Sequence, residues 1–343
     1  MILEDYISAE RLDVYVSHLK IRPDQVMAAY HWNKALAGAM LPALQCLEIT
    51  LRNALDKAVQ SNPPPGAAGL WLTDNNWIFS LPRYMGKKAT PKLARRYKMA
   101  KRPQDPQDAH GVLLDQYGNR VIAKKVREEV FVDQARDSIA AEGKKITPAR
   151  VISGLSFGFW TTLLSPKYED QNSKSLLWPN LQGDVFSCLP PGLTMTDIRS
   201  AFHRIRGLRN RLSHHEALWK FHYDDPNTGL PDYGNPVYGA QANCSLLRKH
   251  YDDIIEMIGW MSPNRKANFL IHSANLRFHA LCSVDGLNSY IAPEKIKAQI
   301  KVSRGGKGIS RLIKILEKNE FIRIVKEGQT VLTIGTDNSI LIQ

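Results

Sequence analysis

From Pro23 to about Asn62 the apolar residues keep one helical period: Val26, Tyr30, Ala37, Met40, Leu41, Leu44, Leu47, Leu51, Leu55 and Val59 recur mostly three and four positions apart. At about 3.6 residues per turn those spacings gather the side chains onto one side of a cylinder, so the segment reads as a long core helix and the chain as mainly α. Pro42 falls inside the run and predicts a kink, because proline lacks the N–H that would bond the preceding turn. Glu48 and Arg52 lie four apart and share a face. On the residues alone they read as a helix-stabilising ion pair worth about 0.2–0.5 kcal/mol.

The rest of the chain continues the helical pattern with clear punctuation. Pro63-Pro64-Pro65-Gly66 stops the first long helix, and a segment bearing Trp71 and Trp77 follows. Lys124 to Glu142 reads as a helix ended by Gly143. Thr147-Pro148-Ala149-Arg150 starts the next, which is expected to carry Val151, Ile152, Leu155, Phe159, Leu163 and Leu164, with Phe157, Phe159 and Trp160 in the core. Thr194-Met195-Thr196-Asp197 caps a further helix whose apolar stripe is Ile198, Phe202, Ile205, Leu208 and Leu212. A loop from Tyr223 to Tyr238, rich in Pro, Gly, Asn and Asp, separates it from a helix around Leu246 to Trp260. The end of the chain differs: a basic helix from about Ile309 to Lys318, then two β-prone runs, Phe321 to Lys326 and Thr330 to Ile334, joined by Glu327-Gly328-Gln329. Lys301, Arg304, Lys307, Arg311 and Lys314 lead into this hairpin, which is similar to the second half of a winged helix. Nucleic-acid contact, a packing extension and a partner-binding tail all fit it. No internal repeat is visible.

Charge narrows the partners. The formal net charge is +13 and the isoelectric point is near 9.5, which favours a polyanion. Nucleic acid comes first and an anionic membrane surface second. Between Arg83 and Arg102 there are nine basic residues and no acid, with Tyr84 and Tyr97 interleaved. Lys87, Lys88, Lys92, Arg95, Arg96, Tyr97 and Lys98 are therefore candidate RNA contacts, since basic side chains hold phosphates while aromatic rings stack on unpaired bases. The other reading is a solvated loop running on into Pro103-Gln104-Asp105-Pro106-Gln107-Asp108. The longest uncharged run, Val151 to Pro166, falls short of the roughly 20 apolar residues a membrane-spanning helix needs. Met1-Ile2-Leu3-Glu4-Asp5 lacks the basic start of a secretory signal. Cys46, Cys188, Cys244 and Cys282 have neither metal-site nor disulfide spacing and are expected to be four buried thiols in a cytoplasmic protein.

Chemistry concentrates in Arg209-Asn210-Arg211-Leu212-Ser213-His214-His215-Glu216, at the end of the helix that follows Thr194. Arginine offers a permanently charged planar fork that matches phosphate, and histidine exchanges protons near neutral pH. Asn210 and His214 are four apart and share a face with Arg206, while Arg209 lies about 100° round from Asn210. A productive site therefore needs Arg209 to reach round, a distorted helix end, or two subunits. The residues alone read equally as a basic, solvated helix end. Adjacent histidines diverge on a helix and no H-E-x-x-H motif is present, so neither a metal nor another cofactor is expected.

The Arg209-Asn210-x-x-x-His214-His215-Glu216 string resembles the Abi-like (abortive infection) proteins, a branch of the HEPN superfamily of helical ribonucleases. Glu48-Ile49-Thr50-Leu51-Arg52-Asn53-Ala54-Leu55 and Leu155-Ser156-Phe157-Gly158-Phe159-Trp160 are similar to the same family, in the expected order, over roughly residues 1–275. The resemblance implies a HEPN-like helical bundle over residues 1–275, with a basic insertion at about 83–120, and an extension over 276–343 made of the C-terminal helix and hairpin. It implies a metal-independent endoribonuclease acting as a homodimer, with Arg209, Asn210 and His214 catalytic and His215, Glu216 and Arg206 supporting. It also raises a second reading of Glu48, Arg52 and Asn53, as groups that orient the cluster from a neighbouring helix. RNA, tRNA or mRNA among the choices, would be the substrate, and an antitoxin or a phage trigger the restraint. Two further classes stay open: a non-catalytic RNA-binding or regulatory module, and a DNA-binding regulator acting through the C-terminal extension.

Overall fold

The computed structural model describes residues 7–61, 75–85, 97–116, 118, 120–170, 176–229, 231–271, 273–292, 308–319, 321–326 and 329–335. Pro63 to Gly66, Trp71, Lys301, Arg304, Lys307, Glu327 and Gly328 lie outside them. The protein is mainly helical. In chain order the elements are α1 (Ala9–Ser17), α2 (Val26–Ser61), α3 (Arg127–Ala141), α4 (Pro148–Gly154), α5 (Phe157–Thr162), α6 (Gln182–Val185) and α7 (Met195–Ser213). The short hairpin β1 (His222–Asp224) and β2 (Pro231–Pro236) follows, then α8 (Ala240–Met261), α9 (Pro263–Leu270), α10 (Ser273–Leu281) and α11 (Val284–Ile291). Last come α12 (Ile309–Asn319) and the antiparallel pair β3 (Phe321–Lys326) and β4 (Gln329–Gly335). The chain divides into two compact units, Met1–Leu47 with Gly207–Gln343, and Glu48–Arg206, so that α2 and α7 each contribute to both.

In the first unit aromatic side chains organise the core. Trp219 is buried, with Tyr15 edge-on at 5.1 Å and Trp32 at 6.5 Å between ring centroids. The indole of Trp32 donates to the carbonyl of Leu281 at 2.8 Å, tying α2 to the end of α10. Tyr251 of α8 stacks on Phe278 of α10 at 3.8 Å, and Arg248 donates to the carbonyls of Cys282 and His279.

The second unit is built around Trp77, Trp160, Trp178, Phe157 and Phe202, all buried. Each indole finds an acceptor: Trp77 donates to Asp56 at 2.8 Å, Trp160 to the Leu155 carbonyl at 3.3 Å and Trp178 to the Leu163 carbonyl at 2.8 Å. A buried N–H left unbonded costs about 1–3 kcal/mol, so these acceptors fix where each ring sits.

Helix α2 is the long helix the apolar period predicts, 36 residues with Pro42 inside it. Several other expectations need correction. Leu41 is 39 % exposed, because its neighbour Met40 already faces the core and adjacent residues on a helix diverge. Trp32 and Leu36 are buried there instead. The single helix expected from Thr147 is two, α4 and α5, parted where Leu155 and Ser156 turn extended after Gly154. Cys188 is exposed, while Cys46, Cys244 and Cys282 are buried. The Tyr223–Tyr238 loop holds the β1–β2 hairpin. The region after the basic run is not free loop either, since bridges join Tyr97 to Ile122, Met99 to Val112, Gln107 to Leu113 and Leu114 to Arg120.

Candidate active site

Helix α7 begins on a reciprocal cap. The Asp197 carboxylate accepts from the Thr194 N–H at 2.8 Å and from its hydroxyl at 2.6 Å, and the Asp197 N–H bonds back to that hydroxyl at 3.4 Å. These bonds hold the Asp197 carboxyl below its ordinary range, the carboxylate being the form that accepts them. Ile198, Phe202, Ile205 and Leu208 bury the apolar stripe, which fixes the rotation of the helix about its axis and leaves the polar side outward.

The other end of α7 carries the motif. The His214 N–H still bonds to the Asn210 carbonyl at 2.9 Å; the His215 N–H then reaches Leu212 at 3.1 Å and the Glu216 N–H reaches Arg211 at 2.9 Å. With His215 at φ 56°, this is a Schellman stop, in which a left-handed residue lets the chain fold back over the last turn. The motif is thus split between regular helix (Arg209, Asn210), the half-helical last position (His214) and the reversal (His215, Glu216). Asn210, His214, His215 and Glu216 are exposed and Arg209 is half-buried.

Arg211 points the other way. It donates to the Lys220 carbonyl and sits 5.6 Å from the Phe221 ring, and burial lowers its pKa from the ordinary arginine value. It therefore ties the motif helix to the segment behind it. From the far side Asn33 of α2 grips the same segment: its amide N–H donates to the Glu216 carbonyl at 3.0 Å, and its oxygen accepts from the Leu218 N–H at 3.0 Å. Asn243 repeats the device on α8, accepting from the Phe221 N–H at 3.3 Å and donating to the Val237 and Gly239 carbonyls at 2.9 Å. Both amides are buried. Sequence reasoning missed them, though a signal exists: Asn33 interrupts the Ala29, Leu36, Met40 stripe, and Asn243 precedes Leu247 and Tyr251 at helical spacing.

Beyond this clamp the hairpin displays tyrosines. Tyr223, Tyr233 and Tyr238 are 54 %, 77 % and 53 % exposed. Tyr233 meets the His222 ring edge-on at 5.0 Å, and the Lys20 ammonium lies 4.5 Å from the Tyr238 ring.

The other predicted residues fall elsewhere. Glu48, Arg52, Asn53 and Arg206 belong to the second unit. Arg52 makes long contacts of 3.5 Å to the Asn53 side chain and to the Ser153 carbonyl. Arg206 makes one of 3.5 Å to the Thr161 hydroxyl. Lys87, Lys88, Lys92, Arg95 and Arg96 lie outside the described residues. Tyr97 is paired with Ile122 and has Arg120 5.5 Å from its ring, while Lys98 is exposed and its backbone bonds to Val121 and Leu113. Among the described residues no three His, Cys, Asp or Glu side chains are grouped to hold a metal ion, and no helix is long and apolar enough to cross a membrane.

What the first unit brings together is a half-buried cation, an exposed amide and an exposed imidazole within one turn and a half of helix, on a segment clamped by Asn33. Such a set can bind a phosphodiester, place charge on it and move protons to and from its oxygens. The family described as Abi-like protein matches residues 4–220, a span that takes in both the long helix α2 and the whole motif. No curated protein and no solved structure gives a significant match.

Proposed function

This chain belongs to the Abi-like protein family, and from that premise we propose that it is a metal-independent endoribonuclease that serves abortive infection. Two protomers pair about a two-fold axis so that both copies of the motif share one cleft. His214 of one protomer takes the proton from the 2′-hydroxyl, and the freed oxygen attacks the adjacent phosphorus. Arg209 stabilises the charge that builds on the phosphorane, and Asn210 orients its oxygens. His214 of the other protomer protonates the leaving 5′-oxygen as the P–O5′ bond breaks. The products are a 2′,3′-cyclic phosphate and a 5′-hydroxyl. DNA, without the 2′-hydroxyl, is spared. His215 and Glu216 act in support, His215 through the backbone reversal that places His214.

The observation that carries this reading is the division of labour at the helix end: Arg211 is withdrawn into packing while Asn210 and His214 are exposed. The test is cleavage and binding measured side by side. His214→Ala should lower the cutting rate by about 10²–10⁴-fold, the range for losing a proton-transfer group, and Arg209→Ala by about 10²–10³-fold, the range for losing a group that stabilises transition-state charge, while RNA affinity changes far less. A variant that cuts as fast as the parent would remove its residue from the chemistry.

A second reading, a non-catalytic RNA-binding module, is favoured by the exposed tyrosines of the hairpin. It predicts RNA binding with no cutting to abolish.

A further inference from the structure

In the second unit Thr161, Thr162, Ser165, Arg199, His203 and Arg206 line a cleft of about 170 Å³. From its volume and lining we infer that it is a binding site for a single phosphate group. The space lies well below the roughly 300 Å³ where sites for whole small-molecule ligands begin, and a tetrahedral oxyanion fits it. The inference goes beyond the nuclease reading and does not rest on it.

The lining supplies what a phosphate needs. Arg199, His203 and Arg206 are four and three residues apart, on one face of α7. Arg199 is already committed: it bonds to Glu169 at 2.6 Å and to the Leu164 carbonyl at 2.9 Å, so its charge is largely balanced and it forms a fixed wall. Arg206 is different. It makes a 3.5 Å contact to the Thr161 hydroxyl, and among the described residues it has no carboxylate partner. That contact is too long to hold a guanidinium firmly, so the fork is available to an anion. The lining also includes three hydroxyls, those of Thr161 and Thr162 in α5 and of Ser165 in the turn after it. Those of Thr161 and Thr162 donate to the Gly158 carbonyl. That of Ser165 is buried with no hydrogen-bond partner among the described residues. A buried hydroxyl without a partner is costly unless a ligand completes it. Among the described residues no carboxylate lines the cleft.

The phosphate could come from the backbone of an RNA strand or from a small molecule. The experiment uses the full chain and inorganic phosphate as the probe, with thermal unfolding followed in phosphate and in chloride at equal ionic strength. A ligand that binds only the folded state raises its stability by mass action. The parent should be stabilised by phosphate, Ser165→Ala should bind it about tenfold more weakly, and Arg206→Gln about a hundredfold more weakly. Ser165→Ala removes an unpaired group, so in chloride it should be no less stable than the parent, which separates loss of a ligand contact from loss of folding. No difference between phosphate and chloride for the parent, or an equal difference for parent and both variants, would overturn the site. Displacement of phosphate by a short single-stranded RNA would assign the pocket to the RNA backbone, and indifference to that RNA would assign it to a free phosphate compound. Cutting by the parent and not by His214→Ala is read separately, so failure of the nuclease reading and failure of this pocket give different results.

Discussion

His215 holds a φ of 56° at the position where helices most often place glycine, and for a residue with a Cβ that conformation costs about 1–2 kcal/mol. Its ring is exposed, so little packing is lost with the side chain. His215→Gly should therefore raise stability by about 1 kcal/mol, read as a shift of the urea midpoint, while cutting is retained. Loss of cutting would give the second histidine a chemical role. Asn33 works in the opposite direction. Asn33→Ala strips the partners from the Glu216 carbonyl and the buried Leu218 N–H, and should destabilise the fold by about 1–3 kcal/mol in the same assay. An unchanged midpoint would show that the clamp contributes nothing. Arg209, Asn210 and His214 were legible as residue types in a pattern, whereas Asn33 was not legible as a clamp, because its partners are 183 and 185 positions away along the chain.

At the scale of elements, period carried most of the reading. The stripe of α2 and the capped start of α7 follow from local sequence, and both stand where the spacing puts them. The strand pair β3–β4 was legible for the same reason, as two β-prone runs with a short turn. Elements set by their surroundings were harder. The break between α4 and α5 depends on two extended residues, Ser156 and Leu155, the second with its side chain buried. The β1–β2 hairpin lacks alternating apolar residues and is anchored instead by Asn243 and by the bond from the Val237 N–H to the Phe221 carbonyl. Its tyrosines lead to a prediction of their own. Tyr233 is 77 % exposed and meets the His222 ring edge-on, so Tyr233→Ala should leave the unfolding midpoint in place and weaken single-stranded RNA binding by about 1–3 kcal/mol, the worth of one base stack. Equal affinity by fluorescence anisotropy would take the hairpin out of RNA recognition.

For the whole molecule, burial and the excess of basic residues together set an acid limit. His18 and His222 are both held below the ordinary histidine value of 6.5, by burial first and then by nearby cations: Lys220, His222 and Lys20 around His18, and Lys220 and Arg211 around His222, with Asp13 and Asp232 opposing. The unfolded chain therefore binds protons on these rings at a higher pH than the folded chain does. Stability is full above the unfolded value and falls as pH drops below about 6.5 toward the folded values. His222→Gln should lose less stability than the parent between neutral and mildly acidic buffer, and an identical loss would contradict this cause. Composition conveyed the charge but not its placement. The measurement that decides the proposed activity is chemical analysis of RNA ends after incubation with the purified protein, and with its His214→Ala variant, in excess chelator. We predict 2′,3′-cyclic phosphate and 5′-hydroxyl ends with the parent and none with His214→Ala; intact RNA under both, or equal cutting by both, would contradict it.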